Sequence, residues 1–161
     1  LILIISVFIF KVTTAQQVIK KNINLKAEGL FGKKESLNLS NFKYIVFKND
    51  KSCLHCFEDI SEKLLHFKDS ILFLTIQKES NAYSNILLSK RIFKNASQYF
   101  VINLDEFNKA FKNQIREKDL LISPFLLLNH SNRTYFFAYK DIFIGDGMSD
   151  AFYNFNINRN R

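Results

Sequence analysis

Proline is nearly absent from this sequence: one residue in 161, alongside four glycines, two cysteines and no tryptophan. Two cysteines cannot build the multi-disulfide scaffold of a small secreted domain. So little proline and glycine excludes collagen-like repeats and low-complexity Pro/Gly segments. Acidic residues are in deficit, 15 Asp and Glu against 23 Lys and Arg, for a net charge of +8. The lysines are dispersed, as in Lys20-Lys21, Lys33-Lys34, Lys48 and Lys51. No run of five or six basic residues occurs, and no RNP-like aromatic motif or helix-turn-helix spacing. The charge therefore reads as solvated surface rather than a nucleic-acid stripe. HExxH, GxSxG and P-loop motifs are also missing.

What remains is an ordinary globular composition, 47% apolar and 24% charged, with eighteen Phe and six Tyr to fill a core. The length suits one folded domain. Residues 1–10, LILIISVFIF, are apolar except for Ser6. That run is short for a bilayer span and suits the apolar region of a secretory signal. Thr13 and Ala15 place small residues at −3 and −1 of a cut before Gln16. We therefore expect residues 1–15 to be a signal peptide or anchor remnant. Residues 16–42 are expected to be a leader with edge strands, and residues 43–161 the main domain. The expected location is extracytoplasmic, periplasmic or secreted, with tethering by the N-terminal segment as an alternative to cleavage. Disulfides persist in such compartments.

From residue 43 onward the hydrophobic pattern is regular. Tyr44–Phe47, Ile71–Ile76, Tyr99–Ile102 and Phe125–Leu128 are continuous apolar runs, as in strands buried on both faces. Phe57, Ile60, Leu64 and Phe67 recur at helical spacing, with Ser52 as the expected N-cap. Residues 82–94 read as a second helix. Phe107, Ala110, Phe111 and Ile115 mark a third. Asn129–Asn132 is turn chemistry, and Thr134–Ala138 pairs back as a fifth strand. A terminal helix is expected at about 149–155. The order β-α-β-α-β-α-β-β-α predicts a mainly parallel sheet with helices on both faces and an antiparallel C-terminal hairpin.

Cys53-Leu54-His55-Cys56 carries the chemistry. It follows a buried strand and opens a helix, the context in which C-x-x-C is a redox motif. At a helix N-terminus, unpaired N–H groups and the macrodipole favour the Cys53 thiolate. Cys56, one turn on, can close or resolve a disulfide. Zinc would need two further ligands, and no second C-x-x-C or spaced His pair supplies them. A static disulfide is the other alternative, although so short a loop stabilises a fold little. His55 is either an imidazole that stabilises the reduced form or an exposed polar residue of the first turn. His66 and His130 read as ordinary surface positions.

These residues resemble the thioredoxin superfamily, and most closely its exported TlpA-like thiol-disulfide oxidoreductase branch, over about residues 40–157. The likeness rests on Cys53–Cys56 after Tyr44–Phe47, and on Ser123-Pro124 just before Phe125–Leu128. It implies a thioredoxin-like three-layer sandwich. It implies that the Ser123-Pro124 bond is cis and faces the cysteine pair, with the Ser123 backbone pairing an extended substrate segment. An extra strand-helix unit fills the long interval between the two motifs. The resemblance implies exchange of a Cys53–Cys56 disulfide or dithiol with protein substrates and recycling by a membrane redox partner. It implies no metal, nucleotide or organic cofactor. The sequence departs from the family at three points. Ser52 stands where an aromatic precedes the first cysteine, Phe47 where a buried acid or amide usually sits, and no proline lies between the cysteines. A secreted thioredoxin-fold binding module with a static disulfide is the rival reading.

Overall fold

A computed structural model describes residues 17–19, 22–49, 52–64, 70–78, 82–111, 114–115, 124–144, 147–148 and 152. The strands are β1 (Gln17–Ile19), β2 (Asn24–Glu28), β3 (Lys34–Asn38), β4 (Tyr44–Lys48), β5 (Ile71–Gln77), β6 (Gln98–Asn103), β7 (Phe125–His130) and β8 (Arg133–Ala138). A small pair, β9 (Phe143–Ile144) and β10 (Gly147–Met148), follows. The helices are α1 (Leu54–Leu64), α2 (Ala82–Ile92), α3 (Leu104–Phe111) and the single-turn α4 (Tyr139–Ile142). Among the described residues, eight strands form one sheet in the order β1-β8-β7-β4-β5-β6-β2-β3.

The apolar runs became strands because both of their faces are covered. Every residue of β4 and β5 is buried. Alternation along β4 sends Ile45 and Phe47 into one cluster, and Tyr44 and Val46 into the other. Parallel pairing joins β4 to β5 and β5 to β6. Stepping in one direction through right-handed crossovers puts the connecting helices on one face. Phe57, Ile60 and Leu64 of α1 accordingly pack with Tyr44, Val46 and Phe73. The chain then crosses to the far side of β4, and Phe107 and Phe111 of α3 cover the opposite face with Ile45, Phe47 and Leu74. Phe47 stacks on Phe125 at 4.6 Å between centroids and meets Phe107 and Phe111 edge-on. The result is a mixed α/β fold with helices on both faces of one sheet.

Antiparallel pairing extends the parallel centre on both sides. β7 and β8 form the expected hairpin, with β7 against β4 in antiparallel register. Its loop is tighter than the sequence pattern suggested. Asn129 and His130 are strand residues, and only Ser131 and Asn132 turn, at φ 46° and 64°. Two consecutive positive φ values are what a two-residue hairpin loop requires. The polar segment before residue 43 supplies β1 against β8, and the β2–β3 hairpin against β6. Leu25 and Leu37, in the segment expected to be a leader with edge strands, are both buried. The side chain of Asn129 fastens this segment to the sheet. It donates to the Leu39 and Phe42 carbonyls and accepts from the Thr134 hydroxyl.

The expected terminal helix lies outside the described residues except for Phe152, which is buried edge-on against Phe137. Residues 1–15 and His66 also lie outside them. No helix among the described residues is long and apolar enough to cross a membrane.

Phe47 has ring partners on three sides and no exposure. Phe47→Ala should lower unfolding free energy by about 3–5 kcal/mol. Urea denaturation followed by circular dichroism measures it. A loss within about 0.5 kcal/mol, typical of a surface change, would show that this cluster is not the core's centre.

Candidate functional site

β4 ends at Lys48, and the chain turns through Asn49 into α1. Ser52 does not cap the helix as expected. Its hydroxyl donates to Asn49 Oδ1 at 3.0 Å and accepts the Asn49 N–H at 2.9 Å. The Ser52 N–H donates to the Asn49 carbonyl. Ser52 is thus used to close the strand-to-helix turn. Cys53 takes the capping position instead: its Sγ accepts the Cys56 N–H at 3.3 Å. That N–H is one of the donors a helix start leaves unpaired. A sulfur held there is favoured in its anionic form by the same donor and by the helix dipole.

Cys53 and Cys56 are disulfide-bonded, with their Cα atoms 5.3 Å apart. Cys53 is exposed and Cys56 half-buried. An incoming sulfur therefore meets Cys53 first. Leu54, 54% exposed, places an apolar side chain next to it.

His55 is exposed on the first turn. Its Nδ1 lies 3.3 Å from Glu58 Oε2 and its Nε2 4.0 Å from Asp59 Oδ1. Such exposed pairs stabilise little on their own. Asp59 is less free, because the Tyr139 hydroxyl donates to its Oδ2. Burial, that hydrogen bond and the carboxylate charge push the Tyr139 phenol up to about 12. Tyr139 opens α4, eighty residues along the chain, and thus fixes one wall of the site from a distance.

Lys48 is only 7% exposed. Alternation along β4 puts it on the same side as Tyr44 and Val46. Sequence pattern showed nothing of the Tyr139–Asp59 contact.

Pro124 is buried. It precedes Phe125, which pairs with Phe47, so it sits level with Lys48 on the neighbouring strand. Strand register thus brings Pro124 to the sheet end from which the chain enters the cysteine motif. Ser123, and with it the Ser123–Pro124 linkage expected to be cis, lies outside the described residues. Phe47 points away from α1 into the α3 cluster and provides no ionisable group. Among the described residues no three His, Cys, Asp or Glu side chains gather into a metal-holding group.

No family model matches the chain, and no curated protein does. Solved structures do show a likeness. A SCO1/SenC family lipoprotein from Bacillus anthracis aligns at TM-score 0.49 and 10% identity, over 75% of this chain and 85% of that one. A domain of a possible thiol-disulfide isomerase from Cytophaga hutchinsonii aligns at 0.45 and 16%, over 77% and 86%. BsSco, a member of the Sco family of cytochrome c oxidase assembly proteins, aligns at 0.46 and 13%, over 73% and 83%.

One expectation follows from this geometry. The raised phenol favours the neutral Tyr139 in the folded state. Its stabilising contribution is present below the ordinary tyrosine value near 10 and is lost as pH climbs through about 12. Tyr139→Phe should remove one late-titrating phenol from the alkaline absorbance titration and flatten the fall in urea midpoint over that window. An unchanged titration would place Tyr139 away from Asp59.

Proposed function

We propose that this protein is an exported thiol-disulfide oxidoreductase of the TlpA-like kind, acting on protein substrates through Cys53 and Cys56. One observation carries the reading. An exposed Cys53 sulfur accepts a helix-start N–H directly after the central buried strand, with a second cysteine one turn behind it. This arrangement favours a thiolate on the accessible cysteine and keeps its partner within reach.

In the reduced protein the Cys53 thiolate attacks one sulfur of a substrate disulfide. A Cys53–substrate bond forms, and the substrate's other sulfur leaves as a thiolate and takes up a proton. Cys56 loses its proton and attacks Cys53. The intramolecular disulfide forms, and the second substrate sulfur is released as a thiol. Two electrons pass from the cysteine pair to the substrate. Run backwards, the same steps oxidise a substrate dithiol.

His55 tunes the pair from the first turn, and its Glu58 and Asp59 contacts orient the ring. Pro124 and the Ser123 backbone align an extended substrate segment against the sheet end. Leu54 offers the apolar contact beside the attacked bond. Residues 1–15 direct export, so the domain works in a periplasmic or secreted setting where disulfides persist. A membrane redox partner returns the pair to its starting state.

Cys56→Ser leaves Cys53 without its resolving partner. Incubated with a disulfide-containing protein such as insulin, the reduced variant should accumulate a mixed disulfide through Cys53, visible on non-reducing gels and cleared by dithiothreitol. Cys53→Ser should accumulate far less. No adduct with Cys56→Ser would make the pair a static bridge and the domain a binding module.

A further inference from the structure

The connection from β2 to β3 turns through residues 29–33. The Gly29 N–H donates to the Lys33 carbonyl at 2.8 Å, and the Gly32 N–H to the Gly29 carbonyl at 3.2 Å. Leu30 packs inward against Ala82, Ile86 and Val101. Phe31 is left at the crest of the loop, 83% exposed and with φ 67°. Bulky residues rarely adopt that left-handed region. A loop that needed only the turn would take glycine or asparagine there. Strain of this kind concentrates where a structure uses the side chain it presents.

Helix α2 continues the apolar surface. Its buried residues are Ala82, Ile86 and Ser89. Tyr83, 53% exposed, and Leu87, 44% exposed, stand one turn apart on the same flank. The Tyr83 ring lies 6.2 Å from the Phe31 ring. Loop and helix thus expose one apolar strip built from two elements.

Charge borders the strip. On the hairpin, Lys33 and Lys34 are balanced by Glu28 and Glu35, and Lys33 lies 3.0 Å from Glu35. On α2 the sequence is one-sided: residues 80–104 hold Lys90, Arg91 and Lys94 and no Asp or Glu. Lys90 and Arg91 follow Leu87 by three and four positions, so they flank it on the next turn. Both are exposed, and the Lys90 ammonium lies 5.7 Å from the centre of the Tyr99 ring. A second copy docked by the same strip would set like charges together, which is disfavoured. Phe31 projects from a loop crest rather than lining a pocket, so it suits a fluid surface better than a peptide. At a bilayer, aromatic rings settle at the headgroup boundary, and Lys and Arg stems reach the charged headgroups.

We propose that Phe31, Tyr83 and Leu87 dock this protein on an anionic lipid bilayer, with Lys90 and Arg91 against the headgroups. The contact is separate from the cysteine chemistry and does not depend on it.

The chain has no tryptophan, so Phe31→Trp places a single fluorescent reporter at the loop crest of the full chain. With vesicles of phosphatidylglycerol and phosphatidylcholine in equal parts, its emission should shift to the blue and be quenched by lipids brominated on their acyl chains. Vesicles of phosphatidylcholine alone should do neither, and about 1 M NaCl should weaken the response. Lys90→Gln with Arg91→Gln, in the reporter background, should raise the lipid concentration at half-change about thirtyfold, the usual effect of removing two cations near a membrane. Tyr83→Trp is a second reporter for the case in which Phe31→Trp disturbs the loop. Val18→Trp, on β1 at the other end of the sheet from β3, reports attachment elsewhere. Cys56→Ser in the reporter background should respond as the reporter alone does, so a failed redox reading leaves this test intact. No shift on anionic vesicles, an equal shift on phosphatidylcholine alone, or a shift at Val18→Trp with none at Phe31→Trp would overturn the proposal. A shift with polyglutamate but not with vesicles would overturn it too, and assign the strip to an acidic protein partner.

Discussion

The start of α1 lies over the end of β4, and the chemistry depends on that placement. A helix start carries N–H groups with no partner inside the helix. Here one of them, on Cys56, is satisfied by the sulfur of Cys53. The helix cannot drift, because Phe57, Ile60 and Leu64 are buried against Tyr44, Val46 and Phe73. The central strand cannot drift either, because Phe47 is locked among phenylalanines on the opposite face. Packing on both faces of the sheet therefore fixes where the sulfur sits and which dipole it feels.

The surroundings of the pair differ from what the family resemblance implies. A buried acid or amide behind the second cysteine is replaced by Phe47, whose ring belongs to the α3 side. Charged groups near the motif lie on the first turns of α1 instead. Asp59 is held by Tyr139 from the end of the hairpin. His55, with a carboxylate near each ring nitrogen, is the exposed part of that cluster.

The centre of the fold was readable in the sequence for a physical reason. Strands buried on both faces need unbroken apolar runs, and Tyr44–Phe47, Ile71–Ile76 and Phe125–Leu128 are such runs. The cysteine motif was equally visible, since its spacing and its place after a strand are local. Other features are not local. Edge strands can be polar, so β1 and the β2–β3 hairpin left only faint alternation at Leu25 and Leu37. Ser52 read as a cap because the residue type fits, yet its hydroxyl found Asn49 closer. Tyr139 joins the site only through a hairpin return, which no window of sequence contains.

The most direct measurement is the redox equilibrium of the Cys53–Cys56 pair in glutathione buffers of graded poise, followed by alkylation and mass spectrometry. A working pair should pass from dithiol to disulfide in one two-electron transition within the range such buffers cover. A pair that stays oxidised in every buffer, with a potential below about −300 mV as structural disulfides show, would contradict a catalytic role.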